Sequence, residues 1–204
     1  MDHLTRILIV TVFLIFLCFS LASALELGQE VSDFQVFTAD RNPRDRERFG
    51  KEDLFGVINV VFYEDRWTVQ TNASLKYDLD DLVENDSDRY DDVRLVQIID
   101  TSSANIFTGT IYRRNLLRRS QALGIPIYAD WNGSLIGKFG LAAGRSNVLI
   151  IDSDGILRFR ENGPIRGRSL ELFLKPSKAC YKKQYISHTY NTPCFRITIH
   201  YRAQ

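Results

Sequence analysis

Three runs of β-branched and other apolar residues constrain this chain more than any other feature. Residues 57–63 (Val57-Ile58-Asn59-Val60-Val61-Phe62-Tyr63), 93–99 (Val93-Arg94-Leu95-Val96-Gln97-Ile98-Ile99) and 147–151 (Asn147-Val148-Leu149-Ile150-Ile151) are too continuous for a sheet wetted on one face. They read as central strands covered on both sides, and the amphipathic segments between them read as the crossovers of βαβ units. In the first crossover, residues 72–84, Leu75, Leu79, Leu82 and Val83 fall on one helical stripe, with Thr71 or Asn72 able to cap its start. The second, residues 110–123, carries Ile111, Tyr112, Leu116 and Leu123 and stops at Gly124, a natural residue just past a helix end. Residues 33–38 and 125–129 add two further strands. Asp152-Ser153-Asp154-Gly155 divides two apolar runs as a tight hairpin does. A calcium loop is the sharper alternative there, but the glycine comes too early and Ile156-Leu157 supplies no later ligands. Residues 168–174 begin a final helix that Pro176 would stop.

The two ends of the chain follow different rules. After a short polar start, residues 7–21 are apolar except for Thr11 and Ser20, and Ala22-Ser23-Ala24 supplies small residues for cleavage. Residues 1–24 are therefore expected to be a secretory signal peptide. A largely apolar run of fifteen residues falls short of the ~20 a helix needs to cross a bilayer, so no stable membrane span is expected after cleavage. Residues 25–174 are expected to form one domain, and residues 175–204 a basic, disordered tail holding Lys175, Lys178, Lys182, Lys183, Arg196 and Arg202 and no acid. That tail is either an arm for an anionic surface or a frameshifted end. It contains Cys180 and Cys194, the two cysteines left after cleavage, which could pair in an oxidising compartment.

From Leu25 to Leu174 the chain has 19 basic residues against 24 acidic ones, a net charge of −5. An acidic, exported domain is a poor nucleic-acid binder, and none is expected as a partner. Its location is expected to be periplasmic or secreted.

The order strand, strand, helix, strand, helix, strand, hairpin, helix resembles the thioredoxin fold of the peroxiredoxin and TlpA-like branch. Leu27-Gly28-Gln29-Glu30-Val31-Ser32-Asp33-Phe34, Leu54-Phe55-Gly56-Val57 and Ile151-Asp152-Ser153-Asp154-Gly155-Ile156 carry that resemblance. Asp88-Arg89-Tyr90, Ile98-Ile99-Asp100-Thr101 and Ile111-Tyr112-Arg113-Arg114-Asn115-Leu116 are similar to the middle section of the exported YtfJ-like family. The resemblance implies an α/β thioredoxin-like fold, a central mixed β-sheet with helices on both faces. It also implies the place of a redox site: a loop after the first central strand where relatives carry two cysteines and this chain has Trp67-Thr68-Val69-Gln70-Thr71. A threonine hydroxyl ionises far above neutral pH and forms no disulfide. No cysteine occurs between Leu25 and Ala179, which removes the peroxiredoxin pattern as well. Where relatives place a cis-proline, this chain has Ser146, and a trans peptide is expected because a non-proline cis bond costs about 2.5–4 kcal/mol.

Other chemistry is sparsely represented. With His188 and His200 both in the tail, the domain assembles no Ser-His-acid triad and no zinc-water site. The acidic run from Asp78 to Asp92 reads as a solvated helix end and loop. Arg113, Arg114, Arg118 and Arg119 read as an exposed helix face or an anion site. Neither a cofactor nor a metal is expected. The expectation is a redox-inactive protein that binds a protein or peptide partner through Trp67, Thr68, Thr71, Arg145, Ser146 and Asn147, Trp67 being either an anchor or packing beneath its loop. The rival is a thiol-disulfide oxidoreductase or peroxiredoxin-like enzyme working with a partner's thiols or the tail cysteines.

Overall fold

Strand β3 (Ile58–Glu64) is the centre of the molecule, and all seven of its residues are buried. The computed structural model describes residues 24–40, 42–85, 90–105 and 107–165. The expected signal peptide up to Ser23, the final helix and the tail with Cys180 and Cys194 lie outside them. Around β3 stand β1 (Gln35–Thr38), β2 (Arg48–Gly50), β4 (Val93–Asp100), β5 (Ile127–Asp130), β6 (Asn147–Ile151) and β7 (Leu157–Asn162). They form one mixed sheet in the order β2-β1-β5-β4-β3-β6-β7. β3, β4 and β5 run parallel, whereas β6 enters antiparallel beside β3 and β1 antiparallel beside β5.

Helices α1 (Ala73–Asn85) and α2 (Gly109–Leu123) are the crossovers from β3 to β4 and from β4 to β5. Right-handed crossovers between parallel neighbours that progress in one direction put both helices on one face. Strand alternation decides which residues meet them. Leu75, Leu79 and Val83 of α1 pack over Ile58, Val60, Phe62 and Val148, and Leu116 of α2 packs over Ile99, Ile127 and Ala129. The opposite face, with Val61, Tyr63, Ile98, Leu149 and Ile151, is closed by α3 (Ser134–Phe139) and by Leu25, Val31 and Phe34. Helices therefore cover both faces, as the uninterrupted apolar runs require.

Gly124 closes α2 in the left-handed conformation at φ 70°. The hairpin at Asp152 is confirmed: its carboxylate accepts the amides of Asp154 and Ile156 and pairs with Arg158 at 2.6 Å, so its oxygens are committed to the turn. One expectation needs correction. Asn72 does not cap α1; its amide donates to Ser146 Oγ (2.8 Å) and the Gly163 carbonyl (3.0 Å), and its Oδ1 accepts Ile165 N (2.9 Å). These bonds tie the start of α1 to the entry of β6 and the exit of β7.

Candidate functional site

Register pairs Glu64 with Ile99, so β3 and β4 end side by side, and β6 enters at the same edge with Asn147 opposite Tyr63. By alternation Glu64 faces α1, where it is 0% exposed. A bare carboxylate there would be costly, and the neighbours compensate. Lys76 Nζ reaches Glu64 Oε2 at 2.7 Å and the Val69 carbonyl at 2.7 Å, Ser146 Oγ donates to Glu64 Oε1 at 2.8 Å, and Gln97 approaches Oε2 at 3.4 Å. Burial lowers the Lys76 pKa, and the hydrogen bond and charge of Glu64 oppose that shift.

The residues expected to bind a partner separate into two groups. Ser146 and Asn147 are buried. Ser146 Oγ bridges Asn72 and Glu64, and its carbonyl accepts Gly163 N at 2.7 Å. Asn147 Nδ2 serves the Ala142 and Arg145 carbonyls, and its Oδ1 holds Ala142 N. Both side chains hold the β6 entry in place and offer nothing to a partner. Every peptide among the described residues, that before Ser146 included, is trans. Arg145 and Thr71 are exposed, and Thr68 is half-buried.

Thr68 belongs to a tight turn rather than to a helix start. Asp65 Oδ1 accepts the amides of Trp67 and Thr68 (both 2.8 Å) and the Thr68 hydroxyl (3.0 Å), while Asp65 N donates to Thr68 Oγ1 at 2.9 Å. The same reciprocal arrangement recurs after β4. Asn105 Oδ1 accepts the amides of Phe107 and Thr108, and Asn105 N donates to Thr108 Oγ1. Each turn leaves its third residue outward, and among the described residues these are the two most exposed large apolar side chains, Trp67 at 76% and Phe107 at 87%. Trp67 does not pack beneath its loop. The Arg66 guanidinium lies 4.2 Å from the Trp67 ring centre and 5.6 Å from that of Tyr112 on α2. Between this loop and α2 opens a cavity of about 240 Å³ with Val69, Ile99 and Leu116 among its lining and Arg66 and Arg119 at its polar positions.

No protein-family model matches this chain, and no curated protein matches it by sequence. Solved structures do. A thiol:disulfide interchange protein of the DsbE type from Chlorobium tepidum matches at 13% identity and TM-score 0.51, over 70% of this chain and 89% of its own. Mycobacterium tuberculosis AhpC matches at 15% identity and TM-score 0.52, over 81% of this chain and 98% of its own. An uncharacterized conserved protein from Geobacillus kaustophilus gives TM-score 0.52 at 16% identity, over 72% and 77%. The fold is thioredoxin-like. The edge just described, where β3 ends and β6 enters, is the end of this thioredoxin-like sheet at which the resemblance placed a redox site.

Chemically this end can bind but holds no sulfur, since none of the described residues is a cysteine. Trp67 is a candidate from the sequence; Glu64, Lys76, Arg66 and Phe107 are not among the residues expected there. Two signals for them were present. Lys76 interrupts the apolar stripe of α1, three residues before Leu79 and seven before Val83, and the two turns share the pattern Asp/Asn, any residue, aromatic, Thr.

Proposed function

We propose that this protein is an exported, redox-inactive thioredoxin-fold protein of the YtfJ-like kind, acting in the periplasm or outside the cell by binding a protein or peptide partner. The observation that carries this reading is Trp67, held outward by a fully hydrogen-bonded turn at the site end. An exposed aromatic stacked on an arginine beside a cavity is the composition of an interface anchor. The missing thiols argue for binding in place of electron transfer, because nothing in the domain attacks sulfur or peroxide. The binding edge differs from the expected one: with Ser146 and the Arg145 carbonyl already bonded internally, the partner meets the Trp67 and α2 side rather than adding a strand at Ser146.

The test replaces Trp67 with a photo-reactive aromatic amino acid, which keeps an exposed ring at the anchor position, in the full chain expressed in its own host. Exposed Phe55, near the hairpin, serves as the control position. Cross-linking to a discrete partner from position 67 and not from 55 is expected. Equal or absent cross-linking at the two positions overturns the reading.

A further inference from the structure

α2 is an unusual helix for an acidic domain. It carries Arg113, Arg114, Arg118 and Arg119 and no acidic residue, and of its side chains only Leu116 is buried. Ile111, placed by its sequence on the apolar stripe, is instead 50% exposed at the cavity, with Leu116 deeper inside. Neither Arg66, which lies over the Trp67 and Tyr112 rings, nor Arg119 forms an ion pair among the described residues. The volume of about 240 Å³ falls below the roughly 300–1,000 Å³ of sites for drug-sized ligands, which suits one or two inserted side chains.

Resting on the partner-binding reading above, we infer that the cavity between the Arg66–Val69 turn and α2 receives an acidic peptide segment, a large apolar side chain entering toward Leu116 while flanking carboxylates meet Arg66 and Arg119. Charge complementarity selects this occupant: Arg119, on a helix without acids, and Arg66 across the cavity from it stand out from a domain of net charge −5. The apolar lining favours an inserted side chain over a freely hydrated anion, because half-exposed Ile111 and partly buried Val69 would gain cover from it. An anionic membrane fits less well. The pocket is concave, and the acidic remainder of the domain would be repelled from such a surface.

Three fluorescein-labelled ten-residue peptides test this on the full chain by anisotropy: one with two glutamates on each side of a phenylalanine, one with lysines in their place, and one with serine for the phenylalanine. The acidic phenylalanine peptide is expected to bind at least roughly tenfold more tightly than either other, a difference of about 1.4 kcal/mol. Arg66→Gln and Arg119→Gln should each weaken it several-fold, and high salt should weaken it further. Equal binding of the lysine peptide, or indifference to both arginine variants, overturns the inference. If Trp67→Ala still abolishes binding in that case, partner binding at this end survives. If Trp67→Ala is equally silent, both readings fail. Binding to phosphatidylglycerol vesicles in place of the peptides would assign the patch to a membrane. A dimer in sedimentation that Arg119→Gln dissolves would assign it to a second copy of the chain, and either result overturns the peptide assignment.

Discussion

Glu64 and Lys76 show how one residue pair governs this end of the protein. The carboxylate is wholly buried and the lysine side chain only 15% exposed, so each neutralises a charge the core would otherwise reject. Removing one partner leaves the other charged and unpaired. Glu64→Ala and Lys76→Met should each destabilise the fold by roughly 3–5 kcal/mol in urea unfolding. The double variant Glu64→Leu/Lys76→Met should recover much of that loss, because an apolar pair needs no compensation. Ser146 and Gln97 lose an acceptor in the process, so recovery will be partial. The pair was legible in outline: strand alternation from Ile58 puts Glu64 on the covered face, and Lys76 lies on the apolar stripe of α1. Nothing in the sequence announces that Ser146 and Asn147 are spent on the scaffold. Their partners Asn72, Gly163 and Ala142 are brought together only by the packing of α1, β6 and β7.

At the scale of elements, the turn between β3 and α1 decides how this end would behave if sulfur were returned to it. α1 begins at Ala73, five residues beyond Thr68, and the intervening turn directs the Trp67 and Thr68 amides at Asp65. The amide dipoles that favour a thiolate in redox relatives are therefore already taken, and a carboxylate stands 3.0 Å from the Thr68 hydroxyl. A thiol at that position should be a poor nucleophile, its pKa raised by the neighbouring negative charge. In the full chain, Thr68→Cys/Thr71→Cys should reduce a model disulfide only slowly above the native background. Adding Asp65→Asn should speed it by roughly tenfold through removal of that charge. The pH dependence of thiol alkylation in Thr68→Cys, with and without Asp65→Asn, measures the cause directly; no difference between the two would refute it. Sequence pattern located the long elements because each carries a period or a continuous run. β2, three residues with Phe49 and Gly50 buried, and α3, six residues held by the Asp130 carboxylate on the Ser134 and Leu135 amides, are too short to carry a period and escaped it.

For the molecule as a whole, stability at high pH is set on the face away from α1 and α2. Burial raises the pKa of Tyr63, assisted by Asp130 and Asp100, and burial with a hydrogen bond to Glu47 raises that of Tyr128. Above the ordinary tyrosine value of 10.0 the unfolded chain loses protons that the folded one keeps. The stabilisation from these groups is complete below that pH and is lost as pH rises beyond it. Lys76, shifted downward by burial, acts in the opposite sense below its ordinary 10.5, where its contribution improves with rising pH. The melting temperature should therefore fall steeply above about pH 10, and Tyr63→Phe should flatten that fall in calorimetric scans. Matching slopes would show that Tyr63 does not govern the alkaline limit. A different consequence follows from the way the described chain begins. Leu25 is buried, its amide donates to the Lys138 carbonyl at 3.2 Å, and Arg160 clasps the carbonyls of Leu25 and Phe139, each at 2.7 Å. With Leu25 already lodged in the core, a peptidase acting at the Ala24–Leu25 bond has no extended substrate to grip once the sheet has closed. If residues 1–24 are a signal peptide, as the sequence leads us to expect, the cut at that bond has to come before the sheet closes over Leu25.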